Sequence, residues 1–269
     1  MSERMVVLIT GASSGFGQTT AALLADRGYK VFGTSRKPLK GNGFEMLQLD
    51  VNSDESVTLC IQTLRQKTGR IDVLVNNAGY VLHGPVEGTS IDEAKSEFET
   101  NFFGLVRMVK EVLPIMRQQE RGQIINVGSI AGLVAGPFWA FYCASKHAVE
   151  GYTESLRYEV KRFNIQVSLV EPGYCKTNIV NTSVESAASG LIQETYQPYL
   201  SRSKEKWIQV IQNGDDPKLV AETILHIIQS KSPRIRYLVG KEKWIPPIKH
   251  IIPESIFESM ERRYWKLDS

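Results

Sequence analysis

The sequence predicts an α/β fold, a doubly wound parallel sheet of about seven strands with helices on both faces. Three observations carry that expectation. Short, continuous apolar runs of strand length alternate with amphipathic segments of helical length through the first two thirds of the chain. A glycine-rich turn joins the first apolar run to the first helical segment. At 269 residues and 42% hydrophobic, the chain can bury one large core, which suits a single domain over 1–269 rather than two.

Taken in order, Met5–Thr10 is an apolar run with the pattern of a strand buried on both faces. Thr10-Gly11-Ala12-Ser13-Ser14-Gly15-Phe16-Gly17 follows, and a helical segment runs from Gln18 to Arg27. Glycines let the backbone approach a pyrophosphate, and free N–H groups at the helix start point at it, so this junction is a candidate dinucleotide site. Its spacing is Gly-x-x-x-Gly-x-Gly rather than Gly-x-Gly-x-x-Gly. Lys30–Ser35 reads as the second strand and ends in Ser35-Arg36-Lys37. A NAD-binding fold places an acid near this point for the ribose diol. Here Arg36 offers a fork matched to a phosphate and Ser35 a hydroxyl donor, so the 2′-phosphorylated cofactor is expected.

A loop over Pro38–Gly43 leads to a third strand, Glu45–Asp50, and Asp54 is expected to cap a helix reaching about Lys67. Ile71–Val75 reads as the fourth strand and delivers Asn76-Asn77-Ala78-Gly79 to the carboxyl edge of the sheet, where ligands sit in open α/β folds. His83 falls in the following loop; a solvated side chain is expected there, with pocket lining as the alternative. Ile91–Thr100 and Phe102–Gln119 read as consecutive helices joined at Asn101, with an irregularity at Pro114. Gln123–Val127 is the fifth strand and carries Ser129 just past its end. A small-residue and aromatic loop, Ala131–Phe138, leads to a helix through Tyr142 to about Phe163. Ile165–Val170 is the sixth strand, and Pro172-Gly173 ends the regular alternation.

Composition excludes several classes. The 32 basic and 29 acidic residues leave a net charge of only +3, with no basic stripe before the tail, so nucleic acid is not an implied partner. Cys60, Cys143 and Cys175 are odd in number and far apart, which reads as reduced thiols. The four histidines have no metal-ligand spacing with them, and no metal is expected. No signal peptide precedes the first strand and no apolar run approaches the ~20 residues of a membrane span, so a cytoplasmic protein is expected.

Tyr142 and Lys146 stand four residues apart on one helix, so their side chains share a face. A phenol titrates near ~10, and bringing it to neutrality takes about 3 units, roughly 4 kcal/mol. An ammonium about 4 Å away supplies raw Coulomb energy of that order at an effective dielectric of ~20. The pair alone is a weak motif.

Together these features resemble the short-chain dehydrogenase/reductase family over roughly Met5 to Thr177. The motifs that carry the resemblance are Thr10-Gly11-x-x-x-Gly15-x-Gly17, Asn76-Asn77-Ala78-Gly79, Asn101, Ser129, Tyr142-x-x-x-Lys146, and Pro172-Gly173 with Thr177. The resemblance implies a Rossmann-type fold and a catalytic set of Asn101, Ser129, Tyr142 and Lys146. Tyr142 is then the general acid/base, Ser129 a hydrogen-bond partner of the reacting oxygen, and Lys146 the group that depresses the tyrosine pKa and holds the nicotinamide ribose. Asn101 is expected to hold a water linking Lys146 to solvent.

For the cofactor, the resemblance implies contacts from Gly11, Ser13, Ser14, Gly15, Phe16 and Gly17 in the turn, and from Ser35 and Arg36 beyond strand two. Asp50 and Val51 would meet the adenine, and Asn77, Ala78 and Gly79 the ribose. Tyr142, Lys146, Pro172, Gly173 and Thr177 would complete the site. The family reaches NADP preference through a basic residue in the glycine turn or one after strand two. Position 14 is Ser, so only the Arg36 route is present, and NADP(H) is expected over NAD(H).

Beyond Thr177 the generic pattern stops. A substrate lid is expected over about 177–215, an amphipathic helix over Lys218–Gln229, a last strand over Ile235–Val239, and a C-terminal extension over about 241–269. The extension departs from the small ketoacyl reductases and resembles the branch of 17β-hydroxysteroid and retinol dehydrogenases, which implies a bulky apolar substrate. Its apolar residues suit packing on the domain or on a partner subunit, the preferred reading, or a weak membrane-surface contact. The family also implies a homodimer or homotetramer through the Phe102–Gln119 and Tyr142–Phe163 helices. The rival readings are an NADP-binding sensor without turnover and a small-carbonyl or acyl reductase.

Overall fold

The computed structural model describes residues 4–40, 43–187 and 190–267. The Pro38–Gly43 loop, the 177–215 lid, the 241–269 extension and the 1–269 domain each run partly over positions outside the described residues. Seven parallel strands form the main sheet in the order β3-β2-β1-β4-β6-β7-β9. They are β1 (Val6–Ile9), β2 (Lys30–Ser35), β3 (Glu45–Gln48), β4 (Val73–Asn76), β6 (Gly122–Val127), β7 (Ile165–Pro172) and β9 (Arg236–Val239). The order reverses between β1 and β4, and a crevice opens there at the carboxyl ends of the strands. A second, two-stranded sheet pairs β5 (Leu82–His83) with β8 (Val184–Glu185) in parallel.

Two apolar layers sandwich the main sheet. On one face Val57, Ile61 and Leu64 of α2 (Asp54–Thr68), Met108 and Val112 of α4 (Gly104–Gln118), and Val149 and Leu156 of α5 (Ala140–Val160) pack against Leu8, Leu74 and Ile124. On the other, Ala21 and Leu24 of α1 (Gly15–Asp26) and Val220, Ile224 and Ile228 of α8 (Lys218–Gln229) pack against Val7, Val73 and Ile125. Strands covered on both faces explain why the sequence runs there are continuously apolar rather than alternating.

Three local expectations change. The N-cap of α2 is Ser53, whose side chain accepts from Ser56 N–H, while Asp54 opens the helix and pairs with Arg107. The helices around Asn101 do not break. Between α3 (Ile91–Phe98) and α4 the chain takes a π-turn at Glu99–Phe103, and the extra residue aims Asn101 inward. The stretch from Asn181 to Ser203 is mostly helical: α6 (Ile179–Thr182), β8, then the 23-residue α7 (Gly190–Gln212), with Pro198 inside it.

The extension packs on the domain as preferred. After α9 (Ile245–Lys249) and α10 (Glu254–Tyr264), Trp265 is 1% exposed, and its ring stands edge-on to Trp139 with centroids 4.6 Å apart. Trp139, Trp207, Trp265, Val81, Cys143 and Ile211 form a third apolar cluster outside the sheet layers. No helix among the described residues is long and apolar enough to cross a membrane.

Candidate active site

At the switch point Gly11 takes φ +67° and Gly15 φ +55°, which side chains disfavour, and α1 begins at Gly15. Ser14 makes no side-chain cap, so the first-turn N–H groups of α1 face the crevice uncovered by their own N-cap. A Cβ on Gly17 would lie 2.4 Å from Gly11 O and 2.6 Å from Asn77 Nδ2. Helix, turn and the loop after β4 are therefore packed to contact, and only glycine permits it. Thr10 Oγ1 accepts the N–H groups of Asn77 and Ala78, while Asn77 Nδ2 donates to Thr10 O and Gly11 O. A turn held this way, at a helix N-terminus, has the shape and the free donors that a pyrophosphate requires.

The crevice measures about 510 Å³, and its walls include Gly11, Ser13, Ser14, Gly15, Phe16, Ser35, Arg36, Asp50, Val51, Asn77, Ala78, Gly79 and Thr177. Arg36 is exposed at its rim and has no ion pair among the described residues. Ser35 differs from its expected role: its hydroxyl donates to the Lys37 carbonyl at 2.5 Å, so that proton is already used. Gly17 does not line the crevice; its part is the close packing behind it. The residues fit a dinucleotide.

A second cavity of about 490 Å³ adjoins the first, and Phe16, Thr177 and Ile179 line both. Ser129, Tyr142, Pro172 and Gly173 lie on its wall, and most of the remaining lining is apolar or aromatic, with the extension contributing Ile245, Ile248, Phe257, Met260, Tyr264 and Trp265. Sequence reasoning missed Trp139 and Trp207 here. Trp139 stands just before α5 and Trp207 within α7; neither position carries a motif, and only the fold brings them together.

Helix α5 is pinned to the sheet by a buried chain. Asn76 Nδ2 donates to Asn126 Oδ1, Asn126 Nδ2 to Thr153 Oγ1, and Thr153 Oγ1 to Val149 O. That register sets Lys146 Nζ against the Val127 carbonyl at the end of β6, with Tyr142 one turn earlier on the same helix. Burial pushes the Tyr142 phenol well above its ordinary value, and hydrogen bonding with Ser129 draws it part of the way back. Burial lowers the Lys146 ammonium to about 8, against nearby Glu97 and Glu150 charges that favour its protonated form. Lys146 Nζ lines neither cavity: it donates to Val127 O at 3.1 Å and lies 5.8 Å from the centroid of the Tyr142 ring. Asn101 is 2% exposed and its amide clamps Tyr80, accepting from Tyr80 N and donating to Tyr80 O, both at 2.9 Å.

Two buried titratable groups were not foreseen. His83 is 1% exposed rather than solvated, with neither ring nitrogen partnered among the described residues and its ring against Trp139 and Trp207. Burial lowers its pKa to about 4. Glu97 is fully buried, and burial raises its carboxyl to about 8, opposed by the Leu82 N–H bond and by Lys146.

The short chain dehydrogenase family profile matches residues 5–188. The chain belongs to the short-chain dehydrogenase family. It is 41% identical over 254 residues to the 3-ketodihydrosphingosine reductase of Bacteroides thetaiotaomicron, covering 91% of this chain and 94% of that one. Retinol dehydrogenase 8 of Bos taurus is 39% identical over 250 residues (86% and 80% of the two chains). Human 17-beta-hydroxysteroid dehydrogenase type 1 is 35% identical over 270 residues (91% and 80%). Among solved structures, a serine dehydrogenase complexed with NADP+ superimposes with a TM-score of 0.76 at 28% identity over 88% of this chain and 94% of that one. A Burkholderia phymatum short-chain dehydrogenase in complex with NAD gives 0.79 at 23% identity over 92% of each chain, a likeness of fold alone. As a short-chain dehydrogenase, the chain is an oxidoreductase acting on CH–OH groups with a nicotinamide dinucleotide, in the branch of the retinol and hydroxysteroid enzymes.

Proposed function

We propose that this protein interconverts a bulky, apolar, lipid-like ketone or aldehyde and its alcohol, with NADP(H) preferred over NAD(H). The observation that carries the reading is the apolar cavity: it meets Ser129 and Tyr142 at one end and adjoins the glycine-turn crevice at Phe16 and Thr177. The three relatives are named for sphingoid, retinoid and steroid substrates, which supports the same size class.

Gly11, Ser13, Ser14, Gly15 and Phe16 would hold the pyrophosphate, Arg36 the 2′-phosphate, Asp50 and Val51 the adenine, and Asn77 to Gly79 with Lys146 the riboses, with Pro172, Gly173 and Thr177 on the nicotinamide side. When bound, the cofactor supplies or accepts the hydride; the remaining work is this chain's. In reduction, Tyr142 Oη gives its proton to the carbonyl oxygen while Ser129 Oγ hydrogen-bonds that oxygen as charge develops. Reversing the direction makes the same phenol the base. Lys146 stabilises the phenolate, and Asn101 orders the Tyr80 loop through both backbone groups of Tyr80. Ile179, Trp207 and Ile211, with Ile245, Phe257 and Trp265 of the extension, would cover the substrate.

Steady-state kinetics of wild type and Arg36→Asp with both cofactors tests the preference. The expected result is a loss of at least about tenfold in kcat/KM with NADPH and little change with NADH, since a bidentate phosphate contact is worth more than about 1.4 kcal/mol. Unchanged discrimination would remove Arg36 from the account. Substrate class is tested by NADPH oxidation across steroid, retinoid, acyl and small-ketone carbonyls; best turnover of a small ketone would favour the rival reading.

A weak membrane contact has its own support. Trp244 (66% exposed) and Ile251 (81% exposed) project from the extension with Lys243 and Arg262 exposed on the same segment. Liposome co-sedimentation of the full chain should fall for Trp244→Ser with Ile251→Ser; equal sedimentation would leave the extension as a packing element alone.

A further inference from the structure

We infer that Glu97 is a positioning residue of the reaction centre, which fastens the floor beneath Tyr142 and Lys146 and couples its own charge to theirs. The inference rests on the reading of Tyr142 as the acid/base, and four observations carry it.

Glu97 and Asn101 sit one turn apart across the start of the π-turn and grip successive parts of one segment. Glu97 Oε1 accepts from Leu82 N at 2.8 Å, and Asn101 holds both backbone groups of Tyr80. The gripped segment begins under the pair: a Cβ on Gly79 would lie 2.9 Å from Asn101 Oδ1 and 3.9 Å from Lys146 Nζ. Glu97 has no accessible surface, yet its Oε2 has no hydrogen-bond partner, and no ion pair neutralises the carboxyl among the described residues. A carboxyl left half-satisfied in the interior costs stability unless its charge or its proton has a use.

The groups that sense it are those of the site. Glu97 acts through space on Tyr80 in the loop and on Tyr142, Cys143 and Lys146 of α5, and Lys146 is the one cation among them. Glu93, on its own helix, reaches only as far as Tyr80 in this group. An ionised Glu97 opposes the phenolate of Tyr142 and favours the ammonium of Lys146; a protonated Glu97 does neither. With its carboxyl raised to about 8, the residue changes charge in the range where an alcohol-oxidising enzyme of this kind must ionise its tyrosine. Asn101 therefore does not stand alone behind the pair.

The test uses two variants and pH profiles of kcat/KM for alcohol oxidation. Glu97→Gln keeps an oxygen for Leu82 N but has no charge to gain, whereas Glu97→Ala also drops the anchor. In Glu97→Gln the rise with pH should steepen and its midpoint move down by half a unit or more, with the NADPH dissociation constant within about twofold of wild type. In Glu97→Ala a several-fold higher KM should accompany the shift. A Glu97→Gln profile superimposable on wild type, or moved upward, would overturn the inference, even if thermal stability changed. Tyr142→Phe is the control. If it keeps activity, the acid/base reading fails and the inference with it; if it is inactive while the Glu97→Gln profile is unmoved, only the inference fails.

Discussion

His83 shows how a single side chain can set a pH limit on this fold. Its imidazole is buried against Trp139 and Trp207 with no partner for either nitrogen among the described residues, so it stays neutral in the native state down to about pH 4. Unfolding restores a pKa near 6.5. Between these values the unfolded chain binds the extra proton, so stability falls as pH drops through the window, by at most about 3 kcal/mol. Thermal melts from pH 7 to 4 should show this slope, and His83→Phe should flatten it; an equally steep variant would assign the acid sensitivity elsewhere. The position illustrates what a sequence hides. Gly11, Ser129, Tyr142 and Lys146 could be singled out because they stand in spaced motifs, and the structure brings Gly11 to the crevice and Ser129 and Tyr142 to the apolar cavity. His83 and Glu97 are alone in their windows, and a lone polar residue reads as solvated until the fold buries it.

Among elements, the extension carries the clearest energetic consequence. Trp265 is buried against Trp139, and its Nε1 donates to Glu261 Oε2 at 2.9 Å, so α10 is latched over the apolar cavity by its last turn. Removing a buried tryptophan side chain typically costs about 3–5 kcal/mol. Trp265→Ala should lower the melting temperature and raise KM for a long apolar ketone more than for a short one, with the NADPH dissociation constant unchanged. A uniform KM change would argue that the ring supports the fold and not the cavity. Elements differ in legibility for a physical reason. Lys30–Ser35 and Lys218–Gln229 were readable to the residue because burial on a sheet or on one helix face imposes a period. Helix α7 read as an irregular lid, since its polar surface and Pro198 mask a helix held mainly by Trp207 and Ile211 against the third cluster. The two-residue strands β5 and β8 are too short for any period.

At the scale of the whole molecule, a doubly wound parallel sheet of about seven strands followed from the alternation of runs, and the main sheet has seven strands, all parallel; their order, with its switch point between β1 and β4, came only with the structure. Subunit number was an expectation from the resemblance alone. The exposed faces of the helices it names carry Phe103 (47% exposed) and Tyr158 (77% exposed). If copies associate there, light scattering will give a multiple of 30.2 kDa, and Tyr158→Lys will reduce it. A wild-type mass equal to one chain would end that proposal. The two cavities also draw on different stretches of the chain. The crevice is built from residues between Gly11 and Val184, whereas the apolar cavity needs Lys241 to Trp265 as well. During synthesis the parts of the crevice proposed for the nucleotide therefore leave the ribosome first, and the apolar cavity proposed for the substrate is finished last. A chain cut short before α9, or nicked there by a protease, should still be captured on a nucleotide affinity resin while failing to retain a hydrophobic substrate.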